Sequence, residues 1–229
     1  MRSRKYIECD VFGARPYSGN PCGIVLDADG LTTDEMQYFA RWTNFSETTF
    51  IFPPITEEAD YRLRIFTPTT ELPFAGHPTL GSCHAWLSQG NAAKSPGSVK
   101  QECGVGLVSI TTNNDQLAFA APGLLRGGPI EQATLVEVLE AINIDPNLVV
   151  DTQYIDNGPG WIGVLLPSAK DVLAVRPLAH SNLQIGIFGP YEPGHAYAYE
   201  VRAFFPEDGK RNSNRQSERF WRAVDVIKW

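Results

Sequence analysis

The pattern of apolar and polar positions changes period several times along the first half of the chain. Residues 6–12 (YIECDVF) alternate as a half-buried strand does, and residues 22–26 (CGIVL) form a short apolar run of strand length. Between them lies the loop-forming stretch GARPYSGNP. Thr32 and Glu35 have the spacing of a capping box, and Met36, Phe39 and Ala40 then lie on one helical face. ETTFIF (47–52) is β-branched and aromatic, which predicts a strand. Residues 61–67 alternate strictly, with Arg62 and Arg64 on one face and Leu63 and Ile65 on the other. In FAGHPTLGSCHAWLSQG (74–90), Pro78 suits the first position of a helix and Gly90 the position after its last turn. This helix is apolar on most sides, which predicts burial, and Gly81, Ser82 and Ala85 leave room for strands to come close. Strands at 106–111 and 116–120 then close a first lobe over residues 1–122.

The second half starts in the same manner. Leu135, Val138, Leu139 and Ile142 space a helix over 131–142, and residues 161–166 and 196–205 read as strands. RIFTP (64–68) and RAFFP (202–206) share Arg, Phe and Pro at the same offsets, which suggests a duplicated architecture. A second, partial lobe therefore spans 123–209. Duplication would require another buried helix soon after Pro206, and residues 210–229 do not supply one. That tail carries six basic and two acidic side chains, a net +4 in a chain of net charge −7.

Composition narrows the function class. With 43% hydrophobic and 20% charged residues the chain is an ordinary globular protein. No apolar run approaches the ~20 residues of a membrane span, and the basic start Met1–Lys5 leads into no signal-peptide core. Cys9, Cys22, Cys83 and Cys103 are widely spaced with no C-x-x-C pair, as expected of reduced thiols in a cytoplasmic protein. A pI near 5.1 argues against nucleic-acid binding. The expected partner is a small-molecule substrate, without nucleic acid or membrane. A homodimer is also expected, since a half-finished lobe favours self-association.

Two stretches could carry chemistry. Glu47 sits between Phe45 and Phe50 with no basic neighbour within three positions. If buried, such a carboxyl loses hydration and is driven towards the neutral form, the condition for exchanging protons near pH 7. An exposed Glu at a strand start is the competing reading. His77 stands just before the first turn of the buried helix, where unpaired N–H groups favour anions and disfavour an imidazolium. A neutral histidine there can donate to a substrate, or can merely cap or fill the core. Cys83 and His84, inside the helix, read as core packing. No H-E-x-x-H or C-x-x-C pattern marks a zinc site, and neither a dinucleotide fingerprint nor a P-loop occurs. Racemisation by a pair of thiols would need a cysteine at the helix start. DNGPG (156–160) reads as a turn.

Together, DVFGARPYSGNPCGIV, NFSETTF, FTPTTELPFAGHPTLGSCHAW and RAFFPEDG resemble the PhzF family of phenazine-biosynthesis-type isomerases. The resemblance runs over residues 6–209. It implies an α+β fold like that of diaminopimelate epimerase: two similar lobes, each a curved, mostly antiparallel sheet around a central helix. It also implies cofactor-independent isomerisation by proton transfer on a small cyclic or amino-acid-like carboxylate, with no metal. Glu47 would be the acid/base, and Gly76 and His77 would contact the substrate. The family pattern after FFPxxG continues E-D-P-x-T-G-S, whereas this chain reads KRNSNRQSERFW. The second lobe is thus expected to be incomplete and the activity impaired. A non-catalytic remnant that binds a small molecule or partner, and an amino-acid racemase or epimerase, are the alternatives. The codons AGT AAC AGG CAG TCT GAA CGC TTC can encode residues 213–220. Read one base later they give Val-Thr-Gly-Ser-Leu-Asn-Ala, which restores T-G-S and identifies 210–229 as an expected frameshift product.

Overall fold

The structure is a computed structural model and describes residues 2–13, 15–113, 116–158, 160–177 and 181–204. It divides into two compact units, Met1–Gly123 and Leu124–Trp229. The first contains strands β1 (Tyr6–Val11), β2 (Asn20–Val25), β3 (Glu47–Phe52), β4 (Tyr61–Phe66), β5 (Glu71–Leu72), β6 (Ser98–Cys103), β7 (Gly106–Asn113) and β8 (Gln116–Phe119). Its helices are α1 (Thr33–Thr43) and α2 (Gly76–Ser88). The strands form one sheet in the order β1-β2-β3-β4-β6-β7-β8, with β5 on β4. Only β2–β3 and β4–β6 are parallel, and these are the two joins that a helix bridges.

The helix α2 contacts β1, β2, β3, β4, β6 and β8, so the sheet curls around it from the first strand to the last. Ile24, Leu63, Ile65, Val99 and Ile110 face Leu80, Cys83 and Ala85 in this core. The opposite face packs Val25, Phe50, Phe52 and Phe66 against Met36 and Ala40 of α1. The strict alternation of β4 thus serves two layers. Leu63 and Ile65 point towards α2, while Arg62 and Arg64 lie over Phe52 and Phe66.

Helix ends follow local chemistry. Thr32 and Glu35 form the expected capping box, and Asn44, at φ 56°, ends α1 in the left-handed region. The start of α2 differs from expectation, because Gly76 is its first residue and Pro78 its third. A proline fits there equally well, since first-turn N–H groups have no partner within the helix. His77 therefore lies in the first turn rather than before it. A Cβ on Gly81 would come within 3.0 Å of Val11 Cγ2 and 3.6 Å of the Cβ atoms of Cys9 and Cys22, so a side chain there would push the helix off β1 and β2. Buried hydroxyls and an amide pin α2 further: Thr49 Oγ1 lies 2.8 Å from Ser82 Oγ, and Gln101 Nε2 donates to Thr79 Oγ1 at 3.1 Å. Cys83 is core, as expected. His84 is not: it is exposed, on the one outward-facing strip of an otherwise enclosed helix. All four cysteines are free thiols.

The second unit contains β9 (Arg126–Pro129), β10 (Asp151–Asp156), β11 (Trp161–Leu165), β12 (Gln184–Pro190) and β13 (Tyr199–Phe204), with helices α3 (Gln132–Ile142) and α4 (Ala169–Ala174). The strand order is β13-β12-β11-β10-β9, antiparallel except for β11–β12. Val138, Ala141, Ile142 and Val172 of the helices pack on Ile162, Val164, Ile185 and Ile187 of the sheet. Strand β13 begins three residues later than expected, after a hairpin turn in which Tyr191 stacks on His195.

The series β10-β11-α4-β12-β13 repeats β1-β2-α1-β3-β4, with antiparallel, parallel and antiparallel pairings in the same order. Arg64 and Arg202, the arginines of the two matching pentapeptides, both lie on the last strand of their series. Their environments differ: Arg64 pairs with Glu71, whereas buried Arg202 donates to the carbonyls of Val172 and Val175 at the end of α4. The two units thus realise the expected α+β class of mostly antiparallel sheets. The position equivalent to α2 would follow Phe204. Phe205, Pro206 and the tail lie outside the described residues.

Candidate active site

Three segments meet at the start of α2. Parallel pairing of β2 with β3 sets Cys22 opposite Glu47, so the entry to β2 and the entry to β3 lie at the same sheet edge. Asn20 opens β2, Ser46 and Glu47 open β3, and Gly76 and His77 form the first turn of α2. The side chain of Glu47 is 17% exposed and that of His77 is 8% exposed. His77 Nε2 lies 3.3 Å from Glu47 Oε2. The exposed-Glu reading therefore does not hold.

Burial pushes the His77 imidazole down to about 3, far below its ordinary range. It is neutral at pH 7, so its 3.3 Å contact with Glu47 is not an ion pair. A helix start is consistent with that state, because the dipole disfavours a cation. Gly76 packs against an aromatic wall: a Cβ on it would meet Phe119 Cζ at 3.0 Å, and Phe119 sits edge-on to buried Phe74 with ring centroids 5.5 Å apart.

The thiols of this unit, of which Cys22 lies opposite Glu47, are chemically quiet. Burial pushes Cys83 up to about 12, and it raises Cys9 and Cys22 as well, with the Glu47 charge adding to Cys22. Such thiols stay protonated at neutral pH and are poor bases. Asp156 Oδ1 accepts from the N–H groups of Gly158 and Gly160. Among the described residues, no group of three or more His, Cys, Asp or Glu side chains could hold a metal ion, and no helix is long and apolar enough to cross a membrane.

Sequence reasoning passed over Asn20 and Ser46. Asn20 is 4% exposed, its Nδ2 lies 2.6 Å from His77 Nε2, and its Oδ1 accepts from Ser46 Oγ at 2.9 Å. The available signal was adjacency: each is a small polar residue at the mouth of an apolar strand, and Ser46 precedes Glu47.

An α+β scaffold that buries a helix in a curled sheet and brings a carboxylate to a neutral histidine at that helix's start defines a recognisable class. The chain belongs to the phenazine biosynthesis-like (PhzC-PhzF) family, whose profile matches residues 9–211. It is 39% identical over 193 residues to antisense-enhancing sequence 1 of Schizosaccharomyces pombe, a match covering 81% of this chain and 65% of that protein. It is 34% identical over 175 residues to the trans-2,3-dihydro-3-hydroxyanthranilate isomerase of Pseudomonas chlororaphis, covering 75% and 60% respectively. The Bacillus anthracis phenazine biosynthesis protein of the PhzF family superposes with a TM-score of 0.69 at 26% identity, over 88% of this chain and 73% of that one. The aligned region thus spans somewhat less than two thirds of these two curated relatives.

Proposed function

We propose that this fold carries cofactor-independent isomerisation, in which Glu47 moves a proton on a small cyclic or amino-acid-like carboxylate. The observation that supports it is the half-buried Glu47 carboxyl set 3.3 Å from a neutral His77 in the first turn of α2. As a carboxylate, Glu47 takes a proton from a substrate carbon, and as the acid it returns that proton to another carbon. Negative charge builds on the substrate between the two transfers. The Gly76 N–H and the first turn of α2 offer it unpaired donors and the positive end of a helix dipole, and the neutral imidazole can donate without giving up its only proton. Family relatives named as trans-2,3-dihydro-3-hydroxyanthranilate isomerases make that dihydro-hydroxyanthranilate the first substrate to test.

The 229-residue chain is read as impaired, because KRNSNRQSERFW replaces the pattern expected of a second share of the site. The family match ends at residue 211, the second residue of this stretch. The test compares the chain with a frame-restored protein, each incubated with the dihydro-hydroxyanthranilate in D2O. The restored protein should isomerise it and place solvent deuterium on carbon, and the present chain should not. Absence of exchange from both would remove the proposed reaction, and robust turnover by the present chain would remove the impairment.

A further inference from the structure

We propose that Asn20, oriented by Ser46, is a positioning residue that fixes which nitrogen of His77 carries the proton, so that the Nε2 lone pair faces Glu47. The inference rests on the acid/base reading of Glu47 for its purpose, but not for its geometry. Ser46 Oγ donates to Asn20 Oδ1 at 2.9 Å, and in that amide orientation Nδ2 faces His77 Nε2 at 2.6 Å. An amide NH2 only donates, so Nε2 must accept, and a neutral ring then holds its proton on Nδ1. All three polar side chains lie at most partly exposed, and Asn20 and His77 are buried, so water competes little for these bonds.

The consequence falls on Glu47, whose Oε2 is 3.3 Å from the same nitrogen. A carboxylate there meets a lone pair and is repelled, whereas the neutral acid removes that repulsion and can share the Nε2 lone pair with Asn20 as the longer arm of a three-centre bond. The tautomer held by Asn20 therefore favours Glu47 in the state it reaches after taking a proton from substrate. It supports the intermediate of the shuttle rather than its resting form. Among the described residues, the thiols of Cys22 and Cys9 and the Tyr6 phenol lie near this cluster, and burial raises all three, so they stay protonated and uncharged at neutral pH. The opposite tautomer, with Nε2–H, would donate to the Glu47 carboxylate and favour the resting form instead.

The test reads the ring directly and needs no turnover. The full chain is labelled with 15N-histidine, and long-range 15N–1H correlation at pH 7 distinguishes Nδ1–H from Nε2–H. The wild-type His77 ring should be Nδ1–H. Asn20→Asp, of the same shape but with only acceptor oxygens, should convert it to Nε2–H, and Asn20→Ala should leave a mixture of the two. A wild-type ring found as Nε2–H, or an Asn20→Asp ring that stays Nδ1–H, would overturn the assignment. Loss of the proposed isomerisation with the tautomer as stated would instead count against the Glu47 reading alone.

Discussion

His77 Nε2 and Glu47 Oε2 stand 3.3 Å apart although one belongs to the first turn of α2 and the other opens β3. Burial holds the imidazole near a pKa of about 3, against an ordinary value of 6.5. The unfolded chain takes up this proton as pH falls through about 6.5 and the folded chain resists it until about 3. The stability that His77 contributes by staying neutral is thus fully present above pH 6.5 and lost progressively below it. At about 1.4 kcal/mol per pKa unit, the window is worth on the order of 4–5 kcal/mol. Unfolding free energies measured from pH 7 to 4 should fall more steeply for the wild type than for His77→Gln. Parallel curves would contradict the depressed pKa.

At neutral pH the same histidine should matter to ligand more than to fold. His77→Ala is expected to weaken substrate binding by ~1–3 kcal/mol, the range of one buried hydrogen bond, with a modest change in melting temperature. Calorimetric titration of the frame-restored protein checks this. A large loss of stability with unchanged affinity would mark His77 as structural.

Gly76 is hemmed in by Phe119, whose Cζ would lie 3.0 Å from an added Cβ. Gly76→Ala should cost about 1–2 kcal/mol through the crowded ring, in the range of overpacked sites. Adding Phe119→Leu should recover part of that loss, because the leucine withdraws the clashing edge. Denaturant unfolding of the single and double variants reads the coupling; simple additivity would show that the ring is not what restricts the position.

In the second unit, Arg202 Nη1 donates to Val172 O at 3.1 Å and Val175 O at 2.8 Å. Arg202→Met keeps much of the bulk but leaves two buried carbonyls without their charged donor. A loss of about 2–4 kcal/mol is expected, seen as faster amide exchange in β12 and β13. Unchanged protection would show that α4 ends without need of the guanidinium.

Residues 210–229 lead to a prediction about DNA. Downstream of codon 213, the coding strand read one base later should continue as an apolar, small-residue helix beginning Thr-Gly-Ser. Sequencing past that point decides it, and a stop with no continuing frame would end the frameshift reading.

Much of the first unit was legible because its signals are local. A capping box, a β-branched run and a strict alternation each act within a few residues, and α1, β3 and β4 formed where these signals lay. The start of α2 was misplaced because proline is tolerated throughout a first turn, and His84 was misjudged because mean apolarity does not say which strip faces out. The strand β6 (SVKQEC) and the strands β9 and β10 went unread, since their polar residues resemble loop until the neighbouring strands are known. The site divided likewise. Glu47, Gly76 and His77 stand in motifs, whereas Asn20 and Ser46 gain meaning only when parallel pairing carries the mouths of β2 and β3 to the same edge.

The central claim is that Glu47 is the group that moves the proton. Its most direct test is solvent-deuterium incorporation into trans-2,3-dihydro-3-hydroxyanthranilate by the frame-restored protein and by its Glu47→Gln variant, with folding verified in both. The amide keeps the size and polarity of the side chain but cannot accept the proton. Exchange should fall at least ~10²-fold with the fold intact. Near-normal exchange by Glu47→Gln would contradict the account.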